Sequence, residues 1–163
     1  VLLGMGMLLS RAIAKVIRAL LTETRKLEEA VQAGRLDVRG DLQAVSSEFQ
    51  PIVAGVNKTM DAFARPIRVT SESLNRLASN EIPPQIVEEY RGDFDAIKRS
   101  LNGCIGAVAL LDRDADKLAR GMAEGRLSTR IDAGQHGGAF RKVAEAVNGA
   151  LQSFVSFRQQ CVK

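Results

Sequence analysis

An all-α protein made of repeated helix–connector–helix units is predicted by three features of the chain. Aliphatic residues recur at alternating spacings of three and four, aromatic side chains are scarce at 4%, and the sequence repeats itself about every 45 residues. The 163 residues are 45% hydrophobic and 26% charged, which excludes a disordered or low-complexity chain. With no Trp and a single Tyr, Tyr90, the composition does not suit a large β-sandwich. Cys104 and Cys161 lie far apart without metal-type spacing, so neither a disulfide framework nor a zinc module is expected, and a reducing cytoplasm fits. The net charge of +4 comes from 23 basic residues interspersed with 19 acidic ones. That balance contains no block of like charge and no zinc-finger or RNA-recognition signature, so no nucleic-acid partner is expected.

The first element is the apolar run of residues 1–9, VLLGMGMLL, followed at once by Arg11, Lys15 and Arg18. A membrane-spanning helix needs about 20 apolar residues, so this run is too short to cross a bilayer alone. Cations directly after an apolar stretch match the cytoplasmic flank of a spanning helix, so residues 1–9 are expected to be the truncated inner end of one. The remainder is then expected on the cytoplasmic side of the membrane.

Three stretches, Glu29 to Phe63, Arg76 to Val108 and Gly121 to Phe154, align. Gly34, Asn80 and Gly125 mark one position of the repeat, Phe49, Phe94 and Phe140 a second, and Asn57, Asn102 and Asn148 a third. The leading helix of the first unit carries Ile13, Ile17, Leu20, Thr24, Leu27 and Val31, a coiled-coil seam. Gly34, Asn80 and Gly125 are residues that suit a left-handed helix C-cap. After each cap comes an apolar anchor, Leu36, Ile82 or Leu127, and then a second, Val38, Ile86 or Ile131. Pro83 and Pro84 forbid helix through the middle connector.

Trailing helices are predicted to open near Glu48, Asp93 and Ala139, with an acidic residue complementing the helix dipole in the first two. Their seams are Phe49, Ile52, Val56, Met60 and Phe63; then Phe94, Ile97, Leu101, Ile105 and Val108; then Phe140, Val143, Val147, Leu151 and Phe154. The connector from Gly34 to Ser47 stretches roughly 45 Å, beyond the roughly 24 Å of a helix of about 16 residues. It is therefore long enough to run back along the helix it leaves, so both helices of a unit can point the same way. Two narrow seams cannot enclose a core, so a second copy of the chain is expected to complete a parallel four-helix bundle.

This pattern resembles a tandem array of HAMP domains, as found in methyl-accepting chemotaxis proteins and related bacterial transmembrane sensors. The residues that carry the resemblance are Ser10-Arg11-Ala12-Ile13 and Arg65-Pro66-Ile67 at unit entries, the cap-and-anchor pairs Gly34/Leu36, Asn80/Ile82 and Gly125/Leu127, and Glu48 and Asp93. The resemblance implies HAMP units at 10–64, 65–110 and 111–155, with a frayed tail at 156–163. It further implies parallel four-helix coiled-coil bundles on homodimerisation, a membrane link through the N-terminal segment and a downstream signalling or kinase-control domain in cis. The implied function is a signal relay in a bacterial chemoreceptor. A HAMP linker of a sensor histidine kinase and a purely structural dimeric spacer are the alternatives. Ala12 departs from the family's usual Pro, and Ala139 from its usual acidic residue.

No catalytic, cofactor-binding or metal-binding residue is expected, and no small-molecule ligand. His136, the single histidine, lies in a Gly-rich loop and reads as solvated, with no nucleophile placed to use it. The loop glycines Gly134, Gly137 and Gly138 are not followed by Gly-Lys-Ser/Thr and read as turn residues. Glu88, Glu89, Asp93 and Asp95 read as a solvated acidic face rather than a metal site. Cys104 reads as a small apolar filler near a seam. The recurrent asparagines read either as register residues at a bundle interface or as residues that simply face water. Pro66 costs about 3 kcal/mol in a helix interior, and so is read as the joint between the first two units.

Overall fold

A computed structural model describes the backbone of residues 2–161 and the side chains of residues 10–160. Four long helices follow one another: α1 (Leu2–Gln32), α2 (Gln50–Ala78), α3 (Asp93–Ala123) and α4 (Gly138–Cys161). Short 3-10 turns at Leu42–Ala44 and Ala133–Gln135 punctuate the first and third connectors, and the described residues contain no strand. The chain divides into two compact units, one ending at Val69 and the other beginning at Thr70.

The helix ends follow the cap chemistry. Gly34, Asn80 and Gly125 all have left-handed backbone, with φ of 73°, 60° and 77°. Each closes a Schellman motif. The Gly34 N–H donates to Val31 O and that of Arg35 to Ala30 O; Asn80 and Glu81 donate to Leu77 O and Arg76 O; Gly125 and Arg126 donate to Met122 O and Gly121 O. Asn80 is the one non-glycine residue among the described residues with positive φ, which a short polar side chain tolerates.

Helix starts fall within two residues of expectation. α2 opens at Gln50, just past Glu48, with Pro51 in its first turn, where its missing N–H removes no helical bond. α3 opens at Asp93 with Asp95 also in the first turn, and α4 opens at Gly138, whose φ is 51°. Pro66 is buried and lies inside α2, because this helix is both the trailing helix of one repeat and the leading helix of the next. It is thus an interior proline of a helix that continues to Ala78. α4 likewise stays helical to Cys161, past the point where the seam ends and fraying was expected.

In the unit ending at Val69, the connector runs antiparallel to both helices. Arg35 bonds Ala30 and then, further along the connector, Asp41 bonds Glu23, so the connector retreats along α1. Arg39 pairs with Asp61 and Gly40 with Asn57, so it also runs against α2. The helices it separates therefore run parallel. The same holds for α3 and α4, since Arg126 bonds Gly121 and His136 bonds Asp114, while Arg130 pairs with Gln152 and Ile131 with Asn148. A small core of Leu118, Ile131, Ala144 and Leu151, joined by Ala133 and Val147, fills the space between these two helices and their connector.

The side chains of residues 1–9, read as the end of a membrane helix, lie outside the described residues. Among the described residues no helix is long and apolar enough to cross a membrane.

Candidate functional site

Each connector is held to its trailing helix by one asparagine. Asn57 Nδ2 donates to the carbonyl of Gly40 (2.9 Å), and its Oδ1 accepts the N–H of that same residue (2.8 Å). Asn102 grips Ile86 in the same two-bonded way (2.9 and 2.8 Å), and Asn148 grips Ile131 (2.8 and 2.9 Å). A carboxamide matches a peptide unit in having one donor face and one acceptor face, so it supplies both partners that an extended connector residue lacks. The recurrent asparagines therefore fasten the connector instead of setting register at a bundle interface. The second anchor position is corrected with them: the counterpart of Ile86 and Ile131 is Gly40, not Val38. Val38 is only half-buried, whereas Gly40 is buried, and a Cβ there would stand 2.8 Å from Val53 Cγ1. Val53 fills the place that a side chain at position 40 would need.

An arginine reinforces the first and third connectors. Arg39 Nη1 donates to the carbonyls of Leu36 and Val38, and its Nη2 pairs with Asp61 at 2.6 Å. Arg130 repeats this with Leu127 O and Thr129 O, and donates to Gln152 Oε1. The middle connector has Gln85 and Gly106 at these repeat positions, and instead Lys98 donates to Glu88 O. It is also shorter by one residue, the Asn-to-anchor separation being 16 there and 17 in the other two.

A second set of contacts ties the leading helix to the connector. Glu23, buried on α1, accepts the N–H of Asp41 at 2.7 Å, with Lys26 Nζ at 3.4 Å. Asp114 on α3 accepts from His136 Nε2 at 2.8 Å. His136 is only 3% exposed, which corrects its reading as a solvated loop residue. Its partner lies 22 residues upstream, on a helix whose approach to the loop no local pattern reveals. Arg141 Nε donates to the His136 carbonyl. Nearby, Asp132 caps the 3-10 turn. Hydrogen bonds from the Gln135 side chain and then the Gly134 N–H hold its carboxyl below the ordinary range, with His136 and Lys117 adding electrostatic help. At the second cap, Arg76 pairs with Glu81, which lowers the Glu81 pKa through the hydrogen bond first and the charge second.

Outside these contacts much of each seam stays open, although its members Leu27, Leu101, Ile105 and Leu151 are buried. Ile13, Ile17 and Val31 on α1 are exposed, and so are Phe49, just ahead of α2, and Ile52 (53% exposed), Val56 and Phe63 (51%) on it. Ile97, Val143 and Phe154 continue the pattern on the later helices. Cys104, expected to be a filler, is exposed as well; it stands two helical turns past Ile97, on the same face. In the acidic tract Asp95 pairs with Lys98 and Arg99, Glu88 is half-buried, and Glu89 and Asp93 are exposed. Among the described residues no group of three or more His, Cys, Asp or Glu is placed to hold a metal ion.

The family model of the HAMP domain matches residues 44–109. The match begins in the first 3-10 turn and takes in α2, the second connector and α3 as far as Ala109. That stretch is thus similar to a HAMP domain, a family of modules that serve transmembrane sensors as signal-relay linkers. No curated protein matches the chain, and no solved structure does.

Proposed function

We propose that the chain is a signal relay of three successive HAMP units, 10–64, 65–110 and 111–155, acting as a parallel homodimer on the cytoplasmic side of a bacterial inner membrane. One observation carries this reading: the left-handed cap and the asparagine grip of the 44–109 stretch recur at both other connectors, with the same partners in the repeat. In this reading the chain carries out no reaction. A stimulus displaces a preceding membrane helix, and the displacement biases each bundle between two packings of similar free energy. A gap of a few kcal/mol lets a modest input redistribute the population. The chemoreceptor setting is preferred, with a downstream signalling domain reading the bias, because the tandem repeat resembles receptor arrays more closely than single kinase linkers.

The unbroken α2, in which the seam of one unit runs on into the next, supports mechanical transmission. Four residues inserted after Ala64 in the full-length receptor turn the downstream seam by about 40° and lengthen the helix by about 6 Å. Output that is inverted or lost is expected, and unaltered output refutes the relay.

A further inference from the structure

We infer that the carboxylate eleven residues ahead of a glycine cap, Glu23 in the first unit and Asp114 in the third, is a positioning residue that makes the connector follow the leading helix. This deepens the relay reading and rests on it. The asparagine grip fixes each connector to the trailing helix only. For a movement of the leading helix to reach the connector, something on that helix must hold it, and Glu23 and Asp114 do so beyond the cap itself.

Both stand on the same helical face, in the repeated sets Glu23, Leu27, Ala30 and Asp114, Leu118, Gly121, whose members other than the half-buried Asp114 are buried. An acid on such a face is unfavourable for stability: withdrawing a carboxylate from water is costly, and an apolar residue of similar size packs as well or better. Yet the acid occurs twice at one register, bonded to unlike donors, a backbone N–H in one unit and an imidazole in the other. What the two sites share is therefore the link to the connector, not a particular partner. A hydrogen bond is directional where apolar packing is not, so it transmits a rotation or slide of the helix that a Leu in its place would let slip. The middle unit has Val69 at this register.

The test compares Glu23→Leu with Glu23→Gln, which keeps an oxygen acceptor, in the full chain with Cys104→Ser and Cys161→Ser. Amide exchange of Asp41 is followed against that of Gly40, which Asn57 holds. In Glu23→Leu the Asp41 amide is expected to exchange about tenfold faster or more, with Gly40 unchanged. Disulfide cross-linking of paired copies at Ile52→Cys is expected to shift in extent with Glu23→Leu and to return with Glu23→Gln. Asp114→Leu gives an independent reading, because His136 supplies the single imidazole signal of the chain, which is expected to move toward that of free histidine. Unchanged Asp41 exchange in Glu23→Leu, or changed exchange with unchanged cross-linking, overturns the inference. Failure of the relay is separate and shows as normal output from the four-residue insertion.

Discussion

At position 40 the side chain is missing for a reason that lies on another helix. The Val53 methyl group occupies the space, and the Asn57 carboxamide is bonded to both backbone groups of Gly40, so neither the connector nor α2 has room to withdraw. Gly40→Ala is therefore expected to destabilise the first unit by about 1–3 kcal/mol in denaturant unfolding. Gly149, inside α4 with nothing within 4 Å of its added Cβ, is the contrast, and Gly149→Ala is expected to stabilise by up to about 1 kcal/mol. Asp132 makes a prediction in pH. Its folded pKa lies below the ordinary value, so it favours the capped turn above the unfolded carboxyl pKa and stops doing so as pH falls through the depressed folded one. The Gly134 amide, which Asp132 accepts, is expected to stay protected at neutral pH and lose protection in that acidic window. Asp132→Asn, followed by amide exchange, removes the pH dependence if the assignment is right.

Among the elements, the connectors were the least legible and the helix ends the most. A left-handed cap is decided by one residue and its immediate neighbours, so Gly34, Asn80 and Gly125 disclosed the ends of three helices from sequence spacing alone. The seams were legible for the same reason, since a stripe at three-and-four spacing needs only its own helix. A connector is extended and gripped from a distance of 16 or 17 residues, so its anchor cannot be identified by apolar character, and Val38 stood in for Gly40. The signal was nevertheless present. Gly34 to Gly40, Asn80 to Ile86 and Gly125 to Ile131 are equally spaced, and so are the acids Glu23 and Asp114 ahead of their caps. The grip itself yields a prediction. Asn102→Ala strands the N–H and the C=O of Ile86 and is expected to cost about 1–3 kcal/mol, read as a lower unfolding midpoint and faster Ile86 amide exchange. Asn102→Asp is expected to do no better, because a carboxylate accepts from the N–H but turns a second oxygen toward the carbonyl.

For the whole molecule, the decisive surface is the one that a single chain leaves uncovered. Covering a side chain such as Ile52, Phe63 or Ile97 is worth about 1.5–3 kcal/mol each, and in a single chain all three are exposed. The narrowness of the seams predicts a second copy, but a partner's contacts have no trace in one chain's periodicity. The parallel course of α3 and α4 makes the expectation specific. A second copy lying in the same direction brings the seam of α3 against its own counterpart, so the exposed Cys104 faces the Cys104 of the other copy. A disulfide needs Cβ atoms about 4 Å apart, which a parallel pairing about a two-fold axis meets at an axial seam position and an antiparallel pairing does not meet at this one. Mild oxidation of the Cys161→Ser protein at micromolar concentration is therefore expected to give a covalent dimer through Cys104. Ile97→Asp, which places a charge on the same face two turns away, is expected to suppress it. A chain that sediments as a monomer and forms no Cys104 cross-link contradicts the parallel dimer, and the relay that needs two copies falls with it.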